Sequence, residues 1–208
     1  MLLCSLLAAT SIPITAHARS RLPADSSLPI AIVEGSPTLA PFQHVRFCLR
    51  YPGECKSHPA ESPRIELTGQ TAELLYRVNR DVNAAIVPIL KSYGPELADG
   101  WTISPAEGDC NDYAVTKRHE LLEGGLPAKA LRLSVVKTAT GIGHLVLVVA
   151  TTKGDLVLDN LTEAIRPWQH TGYHWLKIES SSDARFWYEI KAPGVSLSDA
   201  GHMRLADR

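Results

Sequence analysis

The stretch from Cys110 to Asp159, "CNDYAVTKRHELLEGGLPAKALRLSVVKTATGIGHLVLVVATTKGDLVLD", changes its period partway through. Its first part reads as a helix that starts at Cys110 and is stopped by Gly124-Gly125. Asp109 is a good N-cap, and Asp112, three residues on, can complete a capping-box exchange. Beyond Pro127 the period drops to two. "ALRLSVV" (130–136), "HLVLVVA" (144–150) and "DLVLD" (155–159) read as strands separated by glycine-containing turns, and "FWYEI" (186–190) follows a serine-rich loop as another.

Upstream, "TAELLYRVNRDVNAAIVPIL" carries Leu75, Val78, Val82, Ile86 and Ile89 at spacings of three and four. That pattern predicts an amphipathic helix, capped by Thr71 or Thr68 and ended or kinked at Pro88. Asn79 and Asn83 share one of its faces and read as solvated or helix-packing polar groups. Helices first and a run of antiparallel strands afterwards make the class α+β. Residues 19–41 are rich in Pro, Ser and Ala and read as an extended lead-in, and the segment from there to Pro63 reads as loop.

With 208 residues, 45% hydrophobic and 21% charged, the chain is long and apolar enough for one domain with a real core. A net charge of −1 without long charged runs argues against nucleic acid or an anionic membrane as the dedicated partner. "MLLCSLLAATSIPITAHARS" resembles the apolar region and small-x-small cleavage site of a secretory signal, although no Lys or Arg precedes its apolar run. The expectation is cleavage near Ala18 and export, leaving 19–41 as lead-in, 42–190 as the domain and 191–208 as a tail.

Export changes the cysteine arithmetic. Without Cys4, the chain keeps Cys48, Cys55 and Cys110, an odd number in an oxidising compartment. Cys48 and Cys55 in "FCLRYPGEC" flank a run of turn formers and are the natural disulfide pair. Zinc fits them less well, because His58 alone would not complete a tetrahedral set. Cys110 is then the free thiol.

A cysteine at a helix N-terminus feels the positive end of the helix dipole, which favours thiolate, while the flanking aspartates oppose it. An activating histidine is therefore needed. His119 lies nine residues along the same helix, roughly 13 Å up its axis. His144 is the better candidate. If 151–154 form the hairpin loop, Ala150 faces Asp155, and Asp159 lies on the face of His144, one diagonal away at roughly 7–8 Å between Cα atoms. A carboxylate there can fix the tautomer of the imidazole and stabilise its cation. Cys110, His144 and Asp159 thus form a candidate nucleophile, base and orienting acid.

"GDCNDYAVTKRHELLEGGLPAKALRL", "GHLVLVVATTKGDLVLDN" and "GYHWLKIESSSDARFWYEI", with "FCLRYPGEC" and "VNRDVN" upstream, resemble the bacterial transglutaminase-like cysteine peptidases over about 42–190. That group includes a periplasmic protease that releases biofilm adhesins. The resemblance implies a papain-like/transglutaminase core, with the cysteine at a helix N-terminus packed on an antiparallel sheet that carries the histidine and aspartate. It implies that Cys110 attacks a peptide or glutamine carbonyl to give a thioester, with its own N–H as one oxyanion donor and Trp101 as oxyanion-site or wall residue. Water would complete proteolysis or deamidation and an amine would complete cross-linking; a catalytically idle binding module is the alternative from another class. The partners implied are a protein substrate, a cell-surface protein among them, and an inner-membrane regulatory receptor. No cofactor is required for the chemistry. The resemblance also raises Ca²⁺, with Asp109, Asn111 and Asp112 as ligands. Asn111 would supply a neutral carbonyl where a relative has an acidic residue, and helix capping accounts for both aspartates without a metal.

Overall fold

The computed structural model describes residues 31–56, 59–92, 94 and 100–191. The expected signal sequence, Cys4, His58 and nearly all of the expected tail lie outside them. Among the described residues there are three α-helices: α1 (Phe42–Arg50), α2 (Gly69–Ala85) and α3 (Cys110–Glu123). Nine strands accompany them: β1 (Glu34–Thr38), β2 (Val87–Pro88), β3 (Glu107–Gly108), β4 (Leu131–Lys137), β5 (Gly143–Thr151), β6 (Gly154–Leu158), β7 (Arg166–Pro167), β8 (His174–Glu179) and β9 (Trp187–Ile190).

Seven strands make one sheet in the order β1-β9-β8-β4-β5-β6-β7, and every neighbouring pair in it is antiparallel. The β5–β6 hairpin pairs Ala150 with Asp155 and Leu147 with Leu158, the register predicted from sequence. β5 lies in the middle of the sheet, and Val146, Leu147, Val148 and Val149 are all fully buried. Both faces are covered, so the alternation sorts side chains between two apolar layers rather than between core and water. Leu145, Leu147 and Val149 pack with Leu75, Val78 and Val82 of α2 and with Tyr113, Val115 and Leu121 of α3. Val146 and Val148 pack on the other face with Val157, Trp168, Ile178 and Ile32.

Local chemistry places the helices. Thr68 and Thr71 form a capping box on α2: the Thr68 Oγ1 accepts from the Thr71 N–H at 3.2 Å, and the Thr71 Oγ1 accepts from the Thr68 N–H at 2.8 Å. The helix ends at Ala85, and Val87-Pro88 continue as an extended strand parallel to Glu107-Gly108. This short pair brings the residues after α2 alongside the start of α3.

Two readings of the N-terminal part change. The segment after Pro41, read as loop, contains α1, which buries His44, Arg46 and Phe47. It has no side-chain N-cap, so the usual start signal is missing. The lead-in is extended, as expected, but Glu34–Thr38 is hydrogen-bonded to β9 as the sheet's edge strand, so the folded unit begins before residue 42.

Cys48 and Cys55 are disulfide-bonded, with Cα atoms 5.6 Å apart, and Cys110 is free. Within that loop Glu54 accepts from Arg118 at 3.0 Å and from Nδ1 of His119 at 2.7 Å. The disulfide loop is thereby clamped to α3, and His119 serves there.

Candidate active site

Cys110 is the first residue of α3, and its helix tip is held by reciprocal caps. The Asp109 Oδ1 accepts from the Asn111 N–H at 3.0 Å, and the Asp112 Oδ2 accepts from the Asp109 N–H at 2.9 Å. Asp112 is fully buried and folds back onto the chain before the cysteine. A Cβ on Gly108 would stand 2.6 Å from the Asp112 Oδ2, so only glycine fits there.

His144 opens β5 opposite Val136, and Asp159 follows the last residue of β6. His144 Nε2 lies 2.8 Å from the Asp159 Oδ1, with both side chains almost fully buried. His144 lines the same cleft as Cys110, whose side chain is among the groups that favour the charged imidazole. Cys110 belongs to the layer between sheet and helices, while Tyr173, edge-on to His144 at 5.7 Å between rings, packs against the opposite layer. The imidazole thus bridges the two layers at the end of the sheet.

Burial opposes a charge on His144, but the hydrogen bonds with Asp159 and Cys110 and their negative charges outweigh it and raise its pKa to about 9. Burial also opposes the Asp159 carboxylate, yet the His144 hydrogen bond and charge, the Leu161 N–H and the Tyr173 hydroxyl hold its carboxyl below the ordinary value. The arrangement supports attack by sulfur, followed by proton delivery from the same imidazole.

Several residues that hold this geometry have no signature in the sequence. Tyr173 donates its hydroxyl proton to the Asp159 Oδ2. Asn79 is fully buried: its Oδ1 accepts from the Asp159 N–H at 3.1 Å, and its Nδ2 donates to the carbonyls of Thr162 and Glu163 at 3.3 and 3.1 Å. Asn83 donates to the Asp159 carbonyl at 3.0 Å. The two asparagines are therefore the brace of the Asp159 loop, more than general helix-packing groups. Lys117, two turns along α3 from Cys110, is buried with no hydrogen-bond partner for its Nζ, and burial lowers its pKa to about 7 against the pull of Asp159.

Cys110 and His144 open into a cleft of about 350 Å³ lined also by Pro41, Phe42, Gln43 and Trp101. Trp101 is buried, edge-on to His44, and forms a wall of the cleft. A larger hollow of about 720 Å³ between α2 and α3 is lined by neither cysteine nor histidine.

The metal candidates divide differently from expectation. His44 brings an imidazole within 3.6 Å of the Cys48 Sγ, a neighbour the sequence did not disclose. Its Nδ1 accepts from the Trp187 indole N–H at 3.2 Å, so Nε2 carries the proton toward the Glu179 Oε1 at 2.7 Å. With both nitrogens engaged and both sulfurs in the disulfide, this group offers no metal site. At Asp112, Oδ1 accepts from the Thr102 N–H at 2.8 Å and Oδ2 from the Asp109 N–H, while Lys91 Nζ stands 3.0 and 3.1 Å from the two oxygens. Four donors fill the roughly four acceptor positions of a carboxylate, so a calcium ion on Asp112 would have to displace one of them. In this arrangement Asp112 has no acceptor position open for a divalent cation, and Asp109 and Asp112 act as caps.

A helix-tip thiol facing an imidazole across the end of an antiparallel sheet is the architecture of a cysteine peptidase. The chain belongs to the bacterial transglutaminase-like cysteine proteinase family, whose profile matches residues 34–194. No curated protein matches it by sequence. Among solved structures it is similar to Legionella pneumophila LapG in the calcium-bound form, at 23% identity over 62% of this chain and 77% of that one, with a TM-score of 0.47. A second structure of Legionella pneumophila LapG is 19% identical over 72% and 79%, with a TM-score of 0.45. The EGTA-treated form is 18% identical over 75% and 82%, with a TM-score of 0.44.

Proposed function

We propose that this protein is an exported thiol peptidase that cleaves protein substrates with Cys110 as nucleophile, His144 as general base and acid, and Asp159 as the orienting carboxylate. The observation that carries this reading is the imidazole of His144, hydrogen-bonded to Asp159 at 2.8 Å and sharing a cleft with the only free thiol among the described residues. The Cys110 Sγ attacks the scissile carbonyl carbon, and the negative charge on oxygen is met by the Cys110 N–H at the helix tip. The C–N bond breaks as His144 gives its proton to the leaving amine, leaving a thioester. Water then attacks the thioester while His144 takes its proton; the C–S bond breaks, releasing the carboxylic acid, which ionises to solvent, and restoring the thiolate–imidazolium pair. Export is supported by the N-terminal pattern and by the Cys48–Cys55 disulfide, a bond favoured in oxidising compartments.

Iodoacetamide tests the nucleophile. Cys110 alkylates much faster than a model thiol near neutral pH, and Cys110→Ala abolishes the labelling; labelling no faster than a model thiol sinks the proposal. Comparing secreted and periplasmic proteins of a Cys110→Ala strain with its parent tests the reaction. New protein termini in the parent support proteolysis, whereas glutamine mass shifts or cross-links would reassign the same acyl-enzyme to deamidation or transamidation.

A further inference from the structure

The chain brings its own cation to the tip of the nucleophile helix. Lys91 lies just past β2, in the segment laid alongside the approach to α3. Its Nζ reaches the Asp112 Oδ1 and Oδ2 at 3.0 and 3.1 Å and the Gly100 carbonyl at 3.2 Å. All three acceptors suit an ammonium, which has only protons to donate. The Lys91 side chain is 18% exposed and that of Asp112 is wholly buried, so the pair is only lightly screened by solvent.

Three pieces of chain converge on this point. Lys91 comes from the exit of β2, and Gly100 and Thr102 flank Trp101, whose indole walls the cleft. Asp112 and Asp109 belong to the helix cap next to Cys110. An anion at Asp112 without a counter-charge, two residues from the sulfur, would oppose thiolate formation. We propose that the Lys91 ammonium is a built-in cation for the active-site helix, a positioning residue that neutralises Asp112, ties the Trp101 segment to the Cys110 tip and makes their order independent of a bound divalent ion. An ammonium on a flexible stem suits the role: it is a compact charge that several oxygens can share.

Lys91→Met keeps the apolar stem and removes the charge. Lys91→Gln keeps N–H donors without charge and serves where the first variant does not fold. Melting is followed from pH 5 to pH 8 in 2 mM Ca²⁺ and in EGTA, alongside iodoacetamide labelling of Cys110. Asp112 carries a buried carboxyl whose pKa is raised by that burial, with Lys91 and the Thr102 and Asp109 N–H groups opposing the rise. Without Lys91 the buried carboxylate loses its counter-charge, so the variants melt several degrees below the parent at pH 8 and the deficit narrows as the pH falls. At pH 7 both variants label about tenfold more slowly than the parent, the parent melts at the same temperature in Ca²⁺ and EGTA, and Ca²⁺ restores part of the stability of the variants alone. A parent that Ca²⁺ stabilises, or variants whose deficit is independent of pH and whose labelling is unchanged, would overturn the assignment. The inference assumes that Cys110 is the nucleophile only for the labelling arm. Slow labelling of the parent itself would count against the peptidase, whereas the melting comparison tests Lys91 alone.

Discussion

Replacing Asn79 by alanine separates a brace from a packing residue. Asn79 makes three hydrogen bonds from one buried amide, all to the loop that starts at Asp159. At about 1 kcal/mol per hydrogen bond, their loss costs about 3 kcal/mol, most heavily at the Asp159 N–H, which the truncation leaves without an acceptor in a buried position. Asn83→Ala is the internal control. It loses one good bond, at 3.0 Å to the Asp159 carbonyl, and one marginal bond, at 3.5 Å to Thr162, so about 1 kcal/mol is expected. The functional effect follows from the same displacement. If release of the loop weakens the His144–Asp159 hydrogen bond by about 1.4 kcal/mol, alkylation of Cys110 near pH 7 slows about tenfold. Urea denaturation gives the first quantity and iodoacetamide kinetics the second. The reasoning fails if Asn79→Ala costs no more than Asn83→Ala, or if it loses stability while Cys110 reacts at the parent rate.

Three further outcomes follow from the buried charges and the disulfide. His144 has its pKa raised from 6.5 to about 9, so its contribution, about 3 kcal/mol, is complete below pH 6.5 and disappears as the pH rises through 9. The deficit of His144→Asn in urea titrations should therefore shrink between those limits, and a deficit that grows with pH contradicts the imidazolium. Lys117 has the opposite sign: its pKa is lowered from 10.5 to about 7, so charging it opposes folding most at pH 7 and below and not at all above 10.5. Lys117→Met should gain roughly 2–4 kcal/mol at pH 6.5 and much less at pH 10, measured by urea melts at both values. Replacing Cys48 and Cys55 by serine opens a loop of sequence separation 7 and should cost about 2.5 kcal/mol by the loop-entropy relation. Mass spectrometry of the unreduced parent should show one alkylated cysteine in the mature chain.

The part of the site that could be read from sequence is the part that local rules determine. The cap at Asp109 and Asp112 rests on contacts within three residues, and the shared face of His144 and Asp159 rests on the period of a strand and the parity of a tight hairpin. Neither needs knowledge of the rest of the chain. Tyr173, Asn79 and Lys91 are a different case. They reach Asp159 or Asp112 across separations of 14, 80 and 21 residues, and their local settings resemble those of many surface tyrosines, helix asparagines and loop lysines. Helix α1 escaped for a related reason, since it starts without a side-chain cap and its buried His44 and Phe47 pack against the distant Trp101 and Trp187.

The asymmetry has a chemical consequence. A triad can be carried by three residues that local patterns reveal, but the ionisation states they need are set by the groups that close on them from elsewhere. Asp159 remains a carboxylate in a buried site because His144, Tyr173 and the Leu161 N–H all donate to it, and its backbone stays in place because Asn79 and Asn83 hold the loop. Asp112, equally buried, carries no proton-transfer role; it has an ammonium and two backbone donors instead. Two buried aspartates near the helix tip thus have different partners, one a titratable imidazole and the other a lysine. In the proposed mechanism acid–base work falls to the His144–Asp159 pair and mechanical order to Lys91–Asp112.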